Sequence, residues 1–207
     1  MALSEIGDTQ RDAPLSSENE SDIEVVPLPD AESGDKIETD VTDEEPVAPV
    51  FDDVTVLYDL ESLPDPVRRM RELIVEAASG GDLDDLRPLL GTGSTRTELS
   101  ISGYEGDPIA FLRDHSGDGN GQETLAILLD ILSAGYVRVD AGEPTELYIW
   151  PYFYAMPLEQ LDDRQRVELF RVITAGDYED MQAYGAYMFY RTAIGPEGDW
   201  EYFLAGD

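Results

Sequence analysis

Gln122-Glu-Thr-Leu-Ala-Ile-Leu-Leu-Asp-Ile-Leu-Ser-Ala134, then Gly135-Tyr-Val-Arg-Val-Asp140, Ala141-Gly-Glu-Pro144 and Glu146-Leu-Tyr-Ile-Trp-Pro-Tyr152 decide the fold. In the first piece Leu125, Ala126, Ile127, Leu128, Leu129, Ile131 and Leu132 cover most of a helix circumference, which a helix tolerates only when neighbours surround it. The spacing predicts a core helix ending at Gly135. Tyr136–Asp140 and Glu146–Tyr152 alternate as strands do, around a Gly-Pro turn, so a hairpin follows the helix. Helix and antiparallel hairpin adjacent in sequence point to an α+β domain.

Working outward, Ala186–Ile194 and Asp199–Leu204 flank Gly195-Pro-Glu-Gly198 and predict a second hairpin. Asp65-Pro66 is a helix start, aspartate at the N-cap and proline at the first helical position, and Val67, Met70, Leu73, Ile74 and Ala77 follow at helical spacing until Gly80-Gly81. Leu83, Leu86 and Leu90 share one side of a short turn that Pro88 limits. Residues 77–90 look like part of one ankyrin repeat, but no second copy recurs, and a solenoid needs about three units. Arg96–Ser102 reads as a short strand, Asp107-Pro108 caps a helix through Asp114, and Asp162 caps one through Ile173 that Gly176 ends. A turn or short helix is expected over 177–183.

The chain has 207 residues, with 46 acids against 13 bases and a net charge of −33. Residues 1–65 hold 20 acids and two bases. Up to Pro49 the apolar residues are aperiodic, a composition that cannot bury enough surface to offset chain entropy. The expectation is therefore a disordered acidic arm or linker at 1–64 and one compact α+β domain at 65–207, with four or five helices and two antiparallel hairpins. Val54, Val56 and Tyr58 alternate and predict an edge strand or a docked extended segment.

Such negative charge opposes phosphate backbones and anionic lipid, so neither nucleic acid nor membrane insertion is expected. Residues 125–150 resemble the helix-plus-wing half of a winged-helix domain, but the segment offers Arg138 alone among several acids, the reverse of a groove reader. Absence of cysteine removes thiolate metal sites and cysteine nucleophiles. His115 is the sole histidine, which excludes a multi-histidine metal site, and it reads as a surface residue beside a turn. No nucleophile elbow or P-loop occurs. No catalytic residue is assigned, and the reading leans away from an enzyme.

Two site readings remain. Asp114-His-Ser-Gly-Asp-Gly-Asn-Gly-Gln-Glu123 partly matches a calcium loop, with Asp114, Ser116 and Asp118 at positions one, three and five, Gly119 at the sharp turn, the Asn120 carbonyl at seven and Glu123 as a late carboxylate. Position twelve is Leu125, where a bidentate glutamate belongs. The plainer alternative is a glycine-rich turn in which Asp118 bonds the backbone and Glu123 favours the helix start. Calcium is thus the one cofactor in question. Residues 136–207 hold 15 of the 19 aromatics. Alternation sends neighbouring rings to opposite faces, so Trp150, Tyr152, Tyr190, Trp200 and Tyr202 are candidates for a ligand-binding face, against the alternative of plain packing. Trp150 is expected to be the buried tryptophan if one is.

Pro66–Arg71, Ser116-Gly-Asp-Gly, Ala134-Gly-Tyr-Val, Tyr148-Ile-Trp-Pro-Tyr-Phe, Thr174-Ala-Gly-Asp-Tyr-Glu-Asp-Met, Phe189-Tyr-Arg and Ala205-Gly-Asp together resemble an uncharacterised family of exported alphaproteobacterial proteins over about residues 60–207. Members follow a signal peptide and a Pro/acid-rich stretch. The resemblance implies a periplasmic location and no activity, although Met1–Asp8 has neither a basic nor an apolar leader region. The expected function is a non-catalytic exported binding or envelope-interaction protein with a protein or glycan partner. The alternative is a carboxylate-based hydrolase acting on a glycan.

Overall fold

The computed structural model describes Phe51 and residues 54–205. The acidic arm expected up to Pro49 lies outside the described residues. Within them the fold is α+β. Helices α1 (Asp65–Gly80), α2 (Pro108–Asp114), α3 (Gln122–Ser133), α4 (Asp163–Leu169) and α5 (Ala175–Tyr184) accompany strands β1 (Val137–Val139), β2 (Leu147–Trp150), β3 (Arg191–Ile194) and β4 (Trp200–Leu204). Both expected hairpins form, and β2 pairs with β3, so they merge into one four-stranded antiparallel sheet of order β1-β2-β3-β4.

Register explains why the sheet is buried on both sides. Val137, Ile149, Ala193 and Tyr202 are successive cross-strand partners, as are Tyr148 with Ile194 and Trp150 with Thr192. The period of two sends these sets to opposite faces. Tyr148, Trp150, Ile194 and Trp200 join a core built from α1, α2, α3 and the 3-10 segment Leu83–Leu89. Val137, Val139, Ile149 and Ala193 join a second core with Phe153, Leu158, Leu161, Leu169, Ile173 and Met181. Both faces of the sheet are packed, with Arg138 and Glu201 among the strand positions left exposed.

The helices end where local chemistry ends them. Gly81 closes α1 in the left-handed region at φ 79°. Asp107 accepts from the Ala110 amide at 2.9 Å and starts α2 as expected. Asp162 and Gln165 form a reciprocal capping box on α4. Asp65, by contrast, is inside α1 and makes no cap; its carboxylate takes the Arg68 guanidinium one turn on.

Several expectations are corrected. Residues 54–64 belong to the packed domain rather than to a linker: Leu57 exchanges two backbone hydrogen bonds with Tyr136, both 2.8 Å, and Leu63 is buried. Arg96–Ser102 is not a strand but touches β4 through one bridge, Glu98 to Tyr202. Gly176 does not stop α4; that helix ends at Leu169, and Gly176 lies in the first turn of α5, which Thr174 caps in a box with Asp177. Gly135 does not close α3 by a left-handed turn either. Ala134 leaves extended, and Gly135 is required because a Cβ there would lie 2.8 Å from the Tyr58 ring and 3.1 Å from the Leu57 carbonyl. On α3 the buried stripe is Thr124, Leu125, Leu128, Ile131 and Leu132, while Ala126 is exposed. Among the described residues no helix is long and apolar enough to cross a membrane.

Candidate ligand-binding cleft

Three of the five candidate aromatics are core. Trp150 and Tyr152 are fully buried and Trp200 nearly so. Trp200 donates through Nε1 to the Thr192 hydroxyl at 2.7 Å, whereas Trp150 Nε1 is buried without a partner. Tyr152 donates to Glu168 at 3.0 Å, and Glu168 also takes the Tyr58 hydroxyl and the Gly135 amide, tying α4 to the segment that precedes α1. Burial and this hydrogen-bonded surrounding push the Tyr152 phenol far up. These groups are built to hold the fold. The idea of alternating exposed rings fails for them because helices and loops cover both faces of the sheet.

Tyr190 and Tyr202 keep partial exposure, on opposite sides of the sheet. Tyr202 sits over the second core, where burial drives its phenol far up. Tyr190 lines a cleft of about 240 Å³ between α2, the start of α3 and the end of β4. Its two walls are aromatic pairs. Phe111 and His115, one turn apart on α2 and its C-cap, stack at 4.0 Å between centroids. Tyr190 and Phe203 face each other at 5.4 Å across the β3–β4 hairpin. Leu99, Leu112 and Ala205 supply the apolar remainder, and Ser100 and Thr124 the hydroxyls.

The His115 Nδ1 lies 2.8 Å from the Phe111 carbonyl. A carbonyl only accepts, so Nδ1 carries the proton and Nε2 keeps its lone pair in the neutral ring. Burial, then the negative field of Glu123, pushes the Tyr190 phenol up. Sequence reasoning placed Tyr190 in a site for the wrong company and left His115, Phe111 and Phe203 out. The available signal was Phe111 and His115 at i,i+4, a spacing that stacks side chains on one helical face.

The Asp114–Glu123 loop is shaped by backbone amides. Asp118 Oδ1 accepts from the Gly121 amide at 3.0 Å and from the Ser116 hydroxyl at 2.6 Å, and Oδ2 accepts from the Gln122 amide at 3.2 Å. The Ser116 hydroxyl, followed by these amides, holds the Asp118 carboxyl at about 2. Glu123 accepts from the Gly117 amide at 2.5 Å. These oxygens point at N–H donors around the start of α3 rather than converging on one centre, and among the described residues no group of three or more His, Asp or Glu is arranged to hold a metal. Of the calcium donor set Asp114, Ser116, Asp118, Asn120 and Glu123, the Asp118 and Glu123 carboxylates are thus engaged with backbone amides at the start of α3.

Several carboxylates elsewhere are held by arginines. Glu146 is buried against Arg138, and Asp84 and Asp107 share Arg87. Partial desolvation of the carboxylate, aided by Asp199 and Glu98, pushes the Glu201 carboxyl up, although the residue as a whole is exposed. No protein-family model, curated protein or solved structure matches the chain.

Proposed function

We propose that the chain is a non-catalytic binding protein of the bacterial envelope whose ligand or partner places an apolar group in the α2–α3–β4 cleft. The observation that carries this reading is the cleft itself, an indentation lined by two aromatic pairs, Phe111 with His115 and Tyr190 with Phe203. Concave, mostly apolar sites with few polar groups are the usual form of ligand pockets. Placement in the envelope rests on the family resemblance described above.

A glycan hydrolase is the second reading, and Glu201 favours it, since a carboxyl pushed upward beside two other acids suits a general acid. Against it stands position: Glu201 is exposed on β4, with its carboxylate lying against Gly195 of the hairpin turn, away from the aromatic cleft. One titration separates the two. Trp200, whose ring is 6.2 Å from that of Phe203, reports on the cleft by fluorescence. Envelope peptides and glycan fragments are added while the mixture is assayed for cleavage. A saturable Trp200 change without product supports binding. Product formation that Glu201→Gln abolishes would overturn it in favour of the hydrolase.

A further inference from the structure

We propose that Arg191 is the receptor for a carboxylate carried on an apolar body, at a site on the face of the sheet opposite the cleft. The inference goes beyond the binding reading above, since it concerns a second site and a different group. Register places the residue. Arg191 opens β3 and pairs with Leu204, while Ala193, two residues on, pairs with Tyr202. The period of two puts Arg191 and Ala193 on one side of the strand, that of the second core. Tyr202 is then the diagonal neighbour of Arg191 on β4, within reach of a long side chain. Tyr154, in the 3-10 turn Tyr152–Ala155 after β2, lies under the guanidinium, its ring centroid 4.6 Å from Cζ.

Arg191 is only 8% exposed. Arginine is almost never buried to that degree unless paired, because its charge cannot be shed and leaving water is costly. Arg68, Arg87, Arg113, Arg138 and Arg166, with side chains 30–47% exposed, each meet a carboxylate. Among the described residues no carboxylate or other acceptor reaches the Arg191 guanidinium, and what it has instead is the face of Tyr154. A ring face offsets part of the charge but takes none of the five N–H groups in the plane of the fork. Nor is the group sealed in. The buried polar atoms without a partner are Arg71 Nε, Thr97 Oγ1 and Trp150 Nε1. The Arg191 nitrogens and the Tyr154 and Tyr202 hydroxyls, also unpartnered among the described residues, are not of that set, so they reach solvent. Burial raises the Tyr202 phenol, Tyr154 adds to the rise and Arg191 opposes it, as befits three groups in one neighbourhood.

A stem held in the core and a head at a narrow opening leave its N–H groups to an acceptor that arrives from outside. Water accepts but brings no charge, whereas a carboxylate does both and takes two N–H groups in parallel. A single negative charge also suits a chain of net −33, which repels a phosphate dianion more strongly. Tyr154, Tyr202 and Phe51, whose ring meets Tyr154 edge-on at 6.0 Å, are each partly exposed and offer apolar surface to the body of the acid.

The test titrates benzoate, benzamide and inorganic phosphate at constant ionic strength into the isotopically labelled full chain. It follows the Arg191 Nε–H signal and the ring signals of Tyr154 and Tyr202. Benzoate is expected to move all three saturably and about tenfold more tightly than benzamide, which keeps the shape without the charge, with phosphate weakest. Arg191→Met keeps an apolar stem and should bring benzoate down to the affinity of benzamide. Arg191→Lys keeps the charge without the fork and should fall between. Benzoate should raise the Tm of the unmodified chain and not that of Arg191→Met. Equal affinities for benzoate and benzamide, no saturable movement of the Arg191 signal, or undiminished benzoate binding in Arg191→Met would overturn the site and leave Arg191 as a clamp on Tyr154. Phosphate binding tighter than benzoate would overturn the carboxylate assignment. Should Arg191→Met not fold, the titration of the unmodified chain decides alone. The cleft on the other face is read separately, by Trp200 fluorescence.

Discussion

Replacing Glu146 by glutamine tests how the β1–β2 hairpin is held. Glu146 is 7% exposed and its carboxylate accepts from four donors. Arg138 Nε and the Tyr148 hydroxyl reach Oε1 at 3.0 and 2.9 Å, while Arg138 Nη2 and the Gly142 amide reach Oε2 at 2.9 and 2.6 Å. The pair therefore closes a turn in which Asp140 takes a left-handed φ of 51°. A glutamine in the same place must point its NH2 at one donor pair. Turned to Oε1 it loses the Arg138 Nε bond, while the Tyr148 hydroxyl reverses and accepts. Hydrogen bonds to charged groups contribute about 1.5–3 kcal/mol. Arg138 is 44% exposed along its side chain and rehydrates, which places the loss at the lower end, about 2 kcal/mol. For a domain of this size that is a fall in Tm of about 4–8 °C. The Arg138 guanidinium, then the Gly142 amide, holds the Glu146 carboxyl at about 2, against an ordinary 4.5. A depressed carboxyl stabilises the fold above its unfolded value and loses that contribution as pH falls through the folded one. The gap between wild type and Glu146→Gln in urea denaturation should be full at pH 7, begin to close below about pH 4.5 and be nearly gone toward pH 2. A gap of the same size at pH 7 and pH 3, or none at pH 7, would refute the assignment.

The two tryptophans should respond differently to phenylalanine: Trp200→Phe forfeits the Thr192 hydrogen bond and should cost about 1 kcal/mol more than Trp150→Phe, which removes a partnerless N–H, as chemical denaturation would measure. Gly121→Ala should destabilise strongly, because φ there is +96° and the new Cβ would sit 2.6 Å from Leu83 Cδ2; thermal melting checks it. A chain starting at residue 65 should melt well below one starting at 51, having lost Leu57, Leu63 and the Tyr58–Glu168 bond; equal melting would return residues 51–64 to the linker. Calcium at several millimolar should leave Tm unchanged, since the Asp118 oxygens already accept amides; a rise that Asp118→Ala abolishes would restore the calcium loop.

Periodicity made α1, α3 and both hairpins legible, because their signals are local: Pro66 stands in the first turn of one helix, Gly195–Gly198 turns one hairpin, and Leu125 to Leu132 marks a packed stripe. What covers each face was not legible. Alternation along Tyr148-Ile149-Trp150 states that neighbours part to opposite sides, but whether a second layer waits there depends on segments farther along the chain, such as Leu169, Ile173 and Met181, which join the core of Ile149. Aromatics expected at a surface thus became core. The cleft was illegible for the same reason, since it assembles from Leu99, Phe111, Thr124, Tyr190 and Phe203, which only the closed sheet brings together. Asp118 and Glu123 were legible as helix-start residues, and the amides around them favour that plainer reading.

The two single bridges, Leu57 on Tyr136 and Glu98 on Tyr202, fall at opposite ends of the strand order, beside β1 and beside β4. Unpaired outer strands are templates onto which another chain can add, and proteins that leave them bare tend to polymerise. Here each outer strand meets a stretch of irregular backbone that pairs once and then veers off, too short to continue the ladder and close enough to block an incoming strand. The sheet is thereby finite by construction. Cover for the outer strands thus comes from segments outside the sheet, so changes around Leu57 or Glu98 that spare folding should be felt at high concentration, as association through the outer strands.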